Sequence, residues 1–152
     1  MAETGSLVRR GLRHPRIENA VYFVTWRLLK TQRELLGDER QVVVDVLRHF
    51  DRQRYDLFAY VVMNDHVHVV VSLRAERQLA ETVRSWKSYV ANRLQRDRQR
   101  AGGLWQRGFF ERVVIDEQEL IAKLEYVSNN PRKRWPSIES YPWVWVTDEL
   151  PW

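Results

Sequence analysis

The sequence predicts an α+β domain of ferredoxin-like order: an antiparallel sheet with helices packed on one face, the other face left open, and a tyrosine-bearing helix beside a His-x-His strand. Three observations carry this expectation. Short β-branched and aromatic runs alternate with long amphipathic stretches in the order strand, helix, strand, strand, helix, strand, with one more helix behind. A length of 152 residues fits one domain. It also suffices to bury roughly 68–70% of the surface that the unfolded chain exposes.

Each element has its own signal. Residues 1–16, with Arg9, Arg10, Arg13 and Arg16, lack apolar periodicity and read as a flexible basic arm, leaving 17–152 as the folded domain. Ala20 to Leu28 is rich in β-branched and aromatic side chains and reads as the first strand. Asp38 is placed to cap a helix from Glu39 to Gln53, striped by Val42, Val43, Val46, Leu47 and Phe50. Leu57 to Met63 and His66 to Leu73 form the next two strands, joined by a tight connection at Asn64-Asp65. A second helix runs from Leu79 to about Arg98 and ends before Gly102-Gly103. A fourth strand fits Phe109 to Ile115. A third helix fits Glu117 to about Asn129, closed by Asn130-Pro131, with a Trp-rich extension from about residue 131.

Composition excludes several functions. Without cysteine there are no disulfides, thiolate nucleophiles or zinc-thiolate sites, so any metal must use imidazole, carboxylate, amide or water. No apolar run approaches a membrane span, and the first residues lack the core of a signal peptide, which predicts a cytoplasmic protein. Net charge is +5 and unevenly spread: residues 74–112 carry ten Arg/Lys against four acids. Most of the basic residues are arginines, whose planar fork suits phosphate, and seven Trp exceed what one core needs. A polyanion with unpaired bases, such as single-stranded nucleic acid, is one expected partner; a solvated arginine-rich surface is the equal alternative on charge alone. Arg84, Lys87 and Arg93 on the second helix, then Arg9, Arg10 and Arg13, are the first candidate contacts.

In an extended chain His66 and His68 project from the same face while Val67, Val69 and Val71 project from the other. Two imidazoles so placed share one metal ion if a third group arrives from elsewhere. Such a pair alone would as readily sit idle on a sheet face. In the third helix Leu120, Ile121, Leu124 and Val127 share a stripe, whereas Glu119, Lys123, Tyr126 and Asn130 share another. Tyr126 and Asn130, one turn apart, offer a nucleophile beside an amide ligand, although on this helix alone Tyr126 reads more readily as a surface or edge-packing aromatic.

Met63-Asn64-Asp65-His66-Val67-His68 resembles the histidine-hydrophobe-histidine motif of the HUH nucleases. Leu104-Trp105-Gln106-Arg107-Gly108 and Tyr126-Val127-Ser128-Asn129-Asn130-Pro131 resemble segments of IS200-type tyrosine transposases, above all those associated with repetitive extragenic palindromes. Tyr141-Pro142-Trp143 also has a counterpart there. The resemblance implies a bacterial transposase that cleaves and rejoins one DNA strand beside a hairpin. Tyr126 would be the nucleophile, and His66, His68 and Asn130 would hold Mg²⁺ or Mn²⁺, with no small-molecule cofactor. It further implies a monomer, since palindrome-associated members complete the site within one chain and other IS200-type members use a partner's helix.

Two positions depart from the family. Asn64-Asp65 replaces proline-asparagine, leaving Asp65 as either a turn residue or a carboxylate near the metal. Arg132-Lys133-Arg134 follows Pro131 and adds a basic patch that either grips flanking phosphates or is simply solvated. Glu111 stays open as a partner orienting a histidine. Two other functions also stay open: a hairpin-binding module without chemistry, and a hydrolase in which the histidines activate water.

Overall fold

The computed structural model describes residues 20–151; the arm with Arg9, Arg10, Arg13 and Arg16 lies outside them. Eight elements follow one another: β1 (Val21–Arg27), α1 (Gly37–His49), β2 (Tyr55–Val62), β3 (His66–Leu73), α2 (Leu79–Asp97), β4 (Phe110–Val114), α3 (Glu117–Arg134) and β5 (Val144–Val146). The five strands form one antiparallel sheet in the order β4-β1-β3-β2-β5. Its first four strands have the ferredoxin-like order that the sequence predicts. No helix among the described residues is long and apolar enough to cross a membrane.

Both faces of the sheet are covered. Val24, Trp26, Val67, Val69 and Val71 pack under α1 and α2, meeting Val43, Leu47, Val83, Trp86 and Val90. Val21, Phe23, Ala59, Val61 and Val70 pack under α3, meeting Leu120, Leu124 and Val127. The tyrosine helix therefore lies across the face expected to be open. The apolar side chains on that face, Phe23 and Val70 among them, would otherwise be left in water.

Four local features depart from the sequence expectation. A bulge between Leu57 and Ala59 resets the parity of β2, so Tyr55, Leu57, Tyr60 and Val62 all reach the α1–α2 face. Asp38 lies inside α1 and pairs with Arg98; the cap residue is Leu36, whose N–H donates to Glu39 Oε1 at 2.9 Å. The third helix continues through Pro131 to Arg134. Pro131 is buried and extends the Leu124-Val127 stripe by one turn, which offsets the missing donor. Three residues of the extension, Val144–Val146, add β5 against β2, too short a run beside Pro142 to announce itself as a strand.

A buried carboxylate ties the loops together. Glu39 is fully buried and accepts from Arg33 at 2.9 and 3.1 Å and from Arg100 at 2.8 and 3.0 Å. Arg100 also reaches Gln32 Oε1 and the Arg33 and Glu34 carbonyls. Burial pushes the Glu39 carboxyl up, but the hydrogen bonds from Arg100 and Arg33 outweigh it and hold the group at about 2.

Because its folded value lies below the ordinary 4.5, Glu39 contributes stability in full above pH 4.5 and loses it as pH falls through about 2. Glu39→Gln strands Arg100 without a counter-charge and is expected to cost roughly 3–5 kcal/mol. Urea unfolding followed by circular dichroism at pH 7 and pH 3 checks both: the variant is weaker at pH 7, and the gap narrows in acid.

Candidate active site

The register of β3 decides the site. Its His68 stands opposite Thr25 of β1 and Val61 of β2, and His66 stands opposite Arg27. Both histidines face α3, as their alternation predicts. Their rings lie 4.8 Å apart, and the Tyr126 ring lies 5.2 Å from that of His68. Phe23 stacks on His68 at 5.3 Å and meets Tyr126 edge-on at 6.0 Å, which fixes both rings. Tyr126 remains 40% exposed, open to a substrate strand.

Each histidine keeps one nitrogen available. Asp65 Oδ1 accepts from His66 Nδ1 at 2.7 Å, and a carboxylate only accepts, so the Nε2 of the neutral ring carries the lone pair. Asp65 thus sits in the turn and also orients a histidine. His68 Nδ1 lies 2.7 Å from the Thr25 hydroxyl, while its Nε2 is buried with no hydrogen-bond partner. Burial, then the nearby basic groups His66, Arg27, Lys123 and Lys133, lowers His68 to about 3, so it is neutral at physiological pH. Asn130, one turn beyond Tyr126, is buried with its Oδ1 likewise unpartnered. An unsatisfied buried acceptor costs about 1–3 kcal/mol. An unpartnered imidazole nitrogen and an unpartnered amide oxygen are donor types that a divalent cation takes. His66, His68 and Asn130 therefore fit a divalent metal, although no group of three His, Cys, Asp or Glu exists among the described residues to hold one. Glu111 lines the same cleft as His68 and Tyr126 from the other face of the sheet. It stands opposite Val24, on the α1–α2 side of the sheet.

Around Tyr126 opens a cleft of about 1030 Å³ whose walls include Phe23, Arg27, Gln106, Arg107 and Lys123. The Lys123 ammonium stands 4.7 Å from the Phe23 ring and that of Lys133 stands 5.4 Å from the Tyr126 ring, so two lysines of α3 flank the tyrosine. Lys123 and Arg27 were not singled out from the sequence. The spacing Lys123, Tyr126, Asn130, Lys133 marks one side of a helix and held the signal for the lysine; placing Arg27 needs the strand register.

The other proposed DNA contacts are dispersed. Arg84 is exposed on α2, one turn beyond Ala80, which lines the cleft. Arg93 pairs with Asp97. Lys87 is committed to the protein: its ammonium donates to the Gln106 carbonyl at 3.0 Å and the Gly108 carbonyl at 2.7 Å. Trp105 Nε1 donates in turn to the Lys87 carbonyl at 3.0 Å. Arg132 and Arg134 are exposed in the last turn of α3.

A ferredoxin-like sheet that turns paired histidines toward a helix-borne tyrosine, beneath an open cationic cleft, defines the class of His-x-His transposases and nucleases. The family model described as Transposase IS200 like matches residues 18–130, and the chain belongs to that family. A Haemophilus influenzae protein assigned as a REP-associated tyrosine transposase is 24% identical over 136 residues, covering 76% of this chain and 72% of its own. The structure of a REP-associated tyrosine transposase bound to a REP hairpin aligns with a TM-score of 0.72 at 20% identity, over 87% of this chain and 79% of that one. A Deinococcus radiodurans protein assigned as a transposase aligns with a TM-score of 0.54 at 20% identity, over 78% and 97%. These two likenesses establish the shared fold.

Lys87→Met removes both bonds to the 106–108 segment and is expected to destabilise the protein by about 1–3 kcal/mol. Hydrogen exchange should quicken at Gln106, Arg107 and Gly108 while Leu120 to Val127 stay protected. Equal loss of protection in both places would argue against a local latch.

Proposed function

We propose that this protein is a metal-dependent transesterase that cleaves and rejoins single-stranded DNA beside a hairpin-forming palindrome. One observation carries the reading: Tyr126, exposed at the cleft, stands 5.2 Å from the ring of His68, whose inward nitrogen has no protein partner. The Tyr126 oxygen attacks a backbone phosphorus, the bond from phosphorus to the 3′ oxygen breaks, and a 5′-phosphotyrosine forms. The phenol proton leaves to solvent and the departing 3′ oxygen takes one up. Rejoining runs the same exchange backward from a 3′ hydroxyl, so the phosphodiester bond energy is retained without a nucleotide cofactor.

His66, His68 and Asn130 would hold Mg²⁺ or Mn²⁺. Bound there, the ion supplies Lewis acidity to the phosphate and the leaving oxygen. Lys123 and Lys133 meet the charge of the phosphate beside Tyr126. Arg107 at the cleft wall and Arg84, Arg132 and Arg134 nearby bind flanking phosphates. Tyr126 reaches His68 of its own chain, which supports a site complete in one protomer. Hairpin DNA as partner rests on the relative whose structure holds a REP hairpin.

The test incubates purified protein with Mn²⁺ and labelled oligonucleotides carrying the palindromes that flank its own gene, then runs denaturing gels. A protein-linked DNA band is expected, absent in Tyr126→Phe and lost on chelation. His68→Ala should lower the yield at least 100-fold and weaken Mn²⁺ binding seen by calorimetry. Tight hairpin binding with no adduct under any condition would instead favour a binding module without chemistry. Strand cleavage retained in Tyr126→Phe would favour a water-activating hydrolase.

A further inference from the structure

The chain after α3 folds back into an aromatic box that the proposed chemistry does not use. Trp135 stacks on Tyr141 at 5.5 Å, and Tyr141 meets Trp143 edge-on at 5.2 Å. The Arg40 guanidinium of α1 stands among them, 4.9 Å from the Trp143 ring, 5.9 Å from Trp135 and 6.0 Å from Tyr141. These rings are pinned. The Tyr141 hydroxyl donates to the Val62 carbonyl at 2.6 Å, and the Trp143 carbonyl accepts from Val62 N–H at 2.9 Å. Gly37 admits the Trp143 ring, since a Cβ there would lie 3.2 Å from it. Yet the rings are only half-buried, and they border a hollow of about 620 Å³ that opens to solvent beside Arg134 and Ser140.

Three features of this hollow select its ligand. Preset aromatic faces with a guanidinium among them suit a flat π-system. Residues 131–143 carry Arg132, Lys133 and Arg134 against the single acid Glu139, which attracts a polyanion. The same cations join the hollow to the candidate site: Lys133 lies over Tyr126 and Arg134 over Trp135, at 5.4 and 5.3 Å. Eight residues of helix lie between Tyr126 and Trp135, a rise of roughly 13 Å, or about four stacked nucleotides and fewer stretched ones.

We propose that the box of Arg40, Trp135, Tyr141 and Trp143 is a second DNA site, which stacks one unpaired nucleobase of the strand whose phosphate reaches Tyr126. It rests on the reading of Tyr126 as acting on single-stranded DNA. The two sites together set the distance between an anchored base and the phosphate presented for cleavage.

The test uses the full chain as Tyr126→Phe, so that the DNA stays intact. Its probes are palindrome hairpins from beside its own gene, with 5-iodouracil placed at one flanking single-stranded position at a time. After irradiation and trypsin digestion, the crosslink is expected on the peptide 135–152, from one or two neighbouring positions only. Ser140→Trp, which fills the hollow from an exposed position, should abolish that crosslink and weaken binding of the flanked hairpin roughly tenfold. Binding of the hairpin without flanks should not change. If the unaltered chain forms the Tyr126 adduct but no position crosslinks to 135–152, the box proposal falls and the transesterase reading stands. A position-specific crosslink with no adduct leaves the box and overturns the chemistry. No binding to the hairpin overturns both.

Discussion

The buried Glu39 carboxylate is the interaction on which the rest of the molecule leans. Its two hydrogen-bonding arginines come from loops far apart in sequence, residues 28–36 and 98–104, and it closes the start of α1 as well. The first of those loops carries the turn ahead of the histidines, because Leu28 N–H donates to the Asp65 carbonyl and Leu35 N–H to that of Asn64. The second leads into Trp105 and Gln106, which bond back to Lys87 and to the end of β1. One carboxylate thereby sets both the histidine turn and the cleft wall. A fully buried charge is tolerated there only because every approach to it is filled by a donor.

The histidine strand illustrates how a covalent pattern becomes a site. With a side-chain period of two, three valines must face the α1–α2 core, and the histidines have no alternative but the other face. That face is apolar around them, with Phe23, Val61 and Val70, so it draws a helix onto itself. The helix arrives with Leu120, Leu124 and Val127 inward and Tyr126 at the edge of the contact. Burial and reactivity are therefore divided among neighbours one or two residues apart. Unpartnered polar atoms on His68 and Asn130 persist because the hydrophobic contact around them outweighs their individual cost.

Most of this layout was legible in the chain itself. The alternation around His66 and His68, the displacement of Tyr126 from the apolar stripe, and the element order all depend on local periodicity, which sequence displays directly. What escaped depends on pairing across distance. The bulge beside Phe58 changes which residues of β2 face which layer without altering composition. Thr25 becomes a histidine partner only through register, which also turns Glu111 to the other face of the sheet. Lys87 looked like a phosphate ligand because its charge was visible and the carbonyls that occupy it were not. Pro131 read as a terminator because its burial, which makes continuation of the helix tolerable, is a tertiary fact.

The three-residue β5 has a consequence for behaviour in a crowded solution. Without it, the eight residues of β2 would form an unprotected margin of the sheet, a template for pairing with other chains. Pairing only Ala59, Tyr60 and Val61, β5 offers too short a ladder to recruit a further strand. The chain's own tail thus serves as a gatekeeper against edge-to-edge aggregation, a protection that truncation before Val144 would remove.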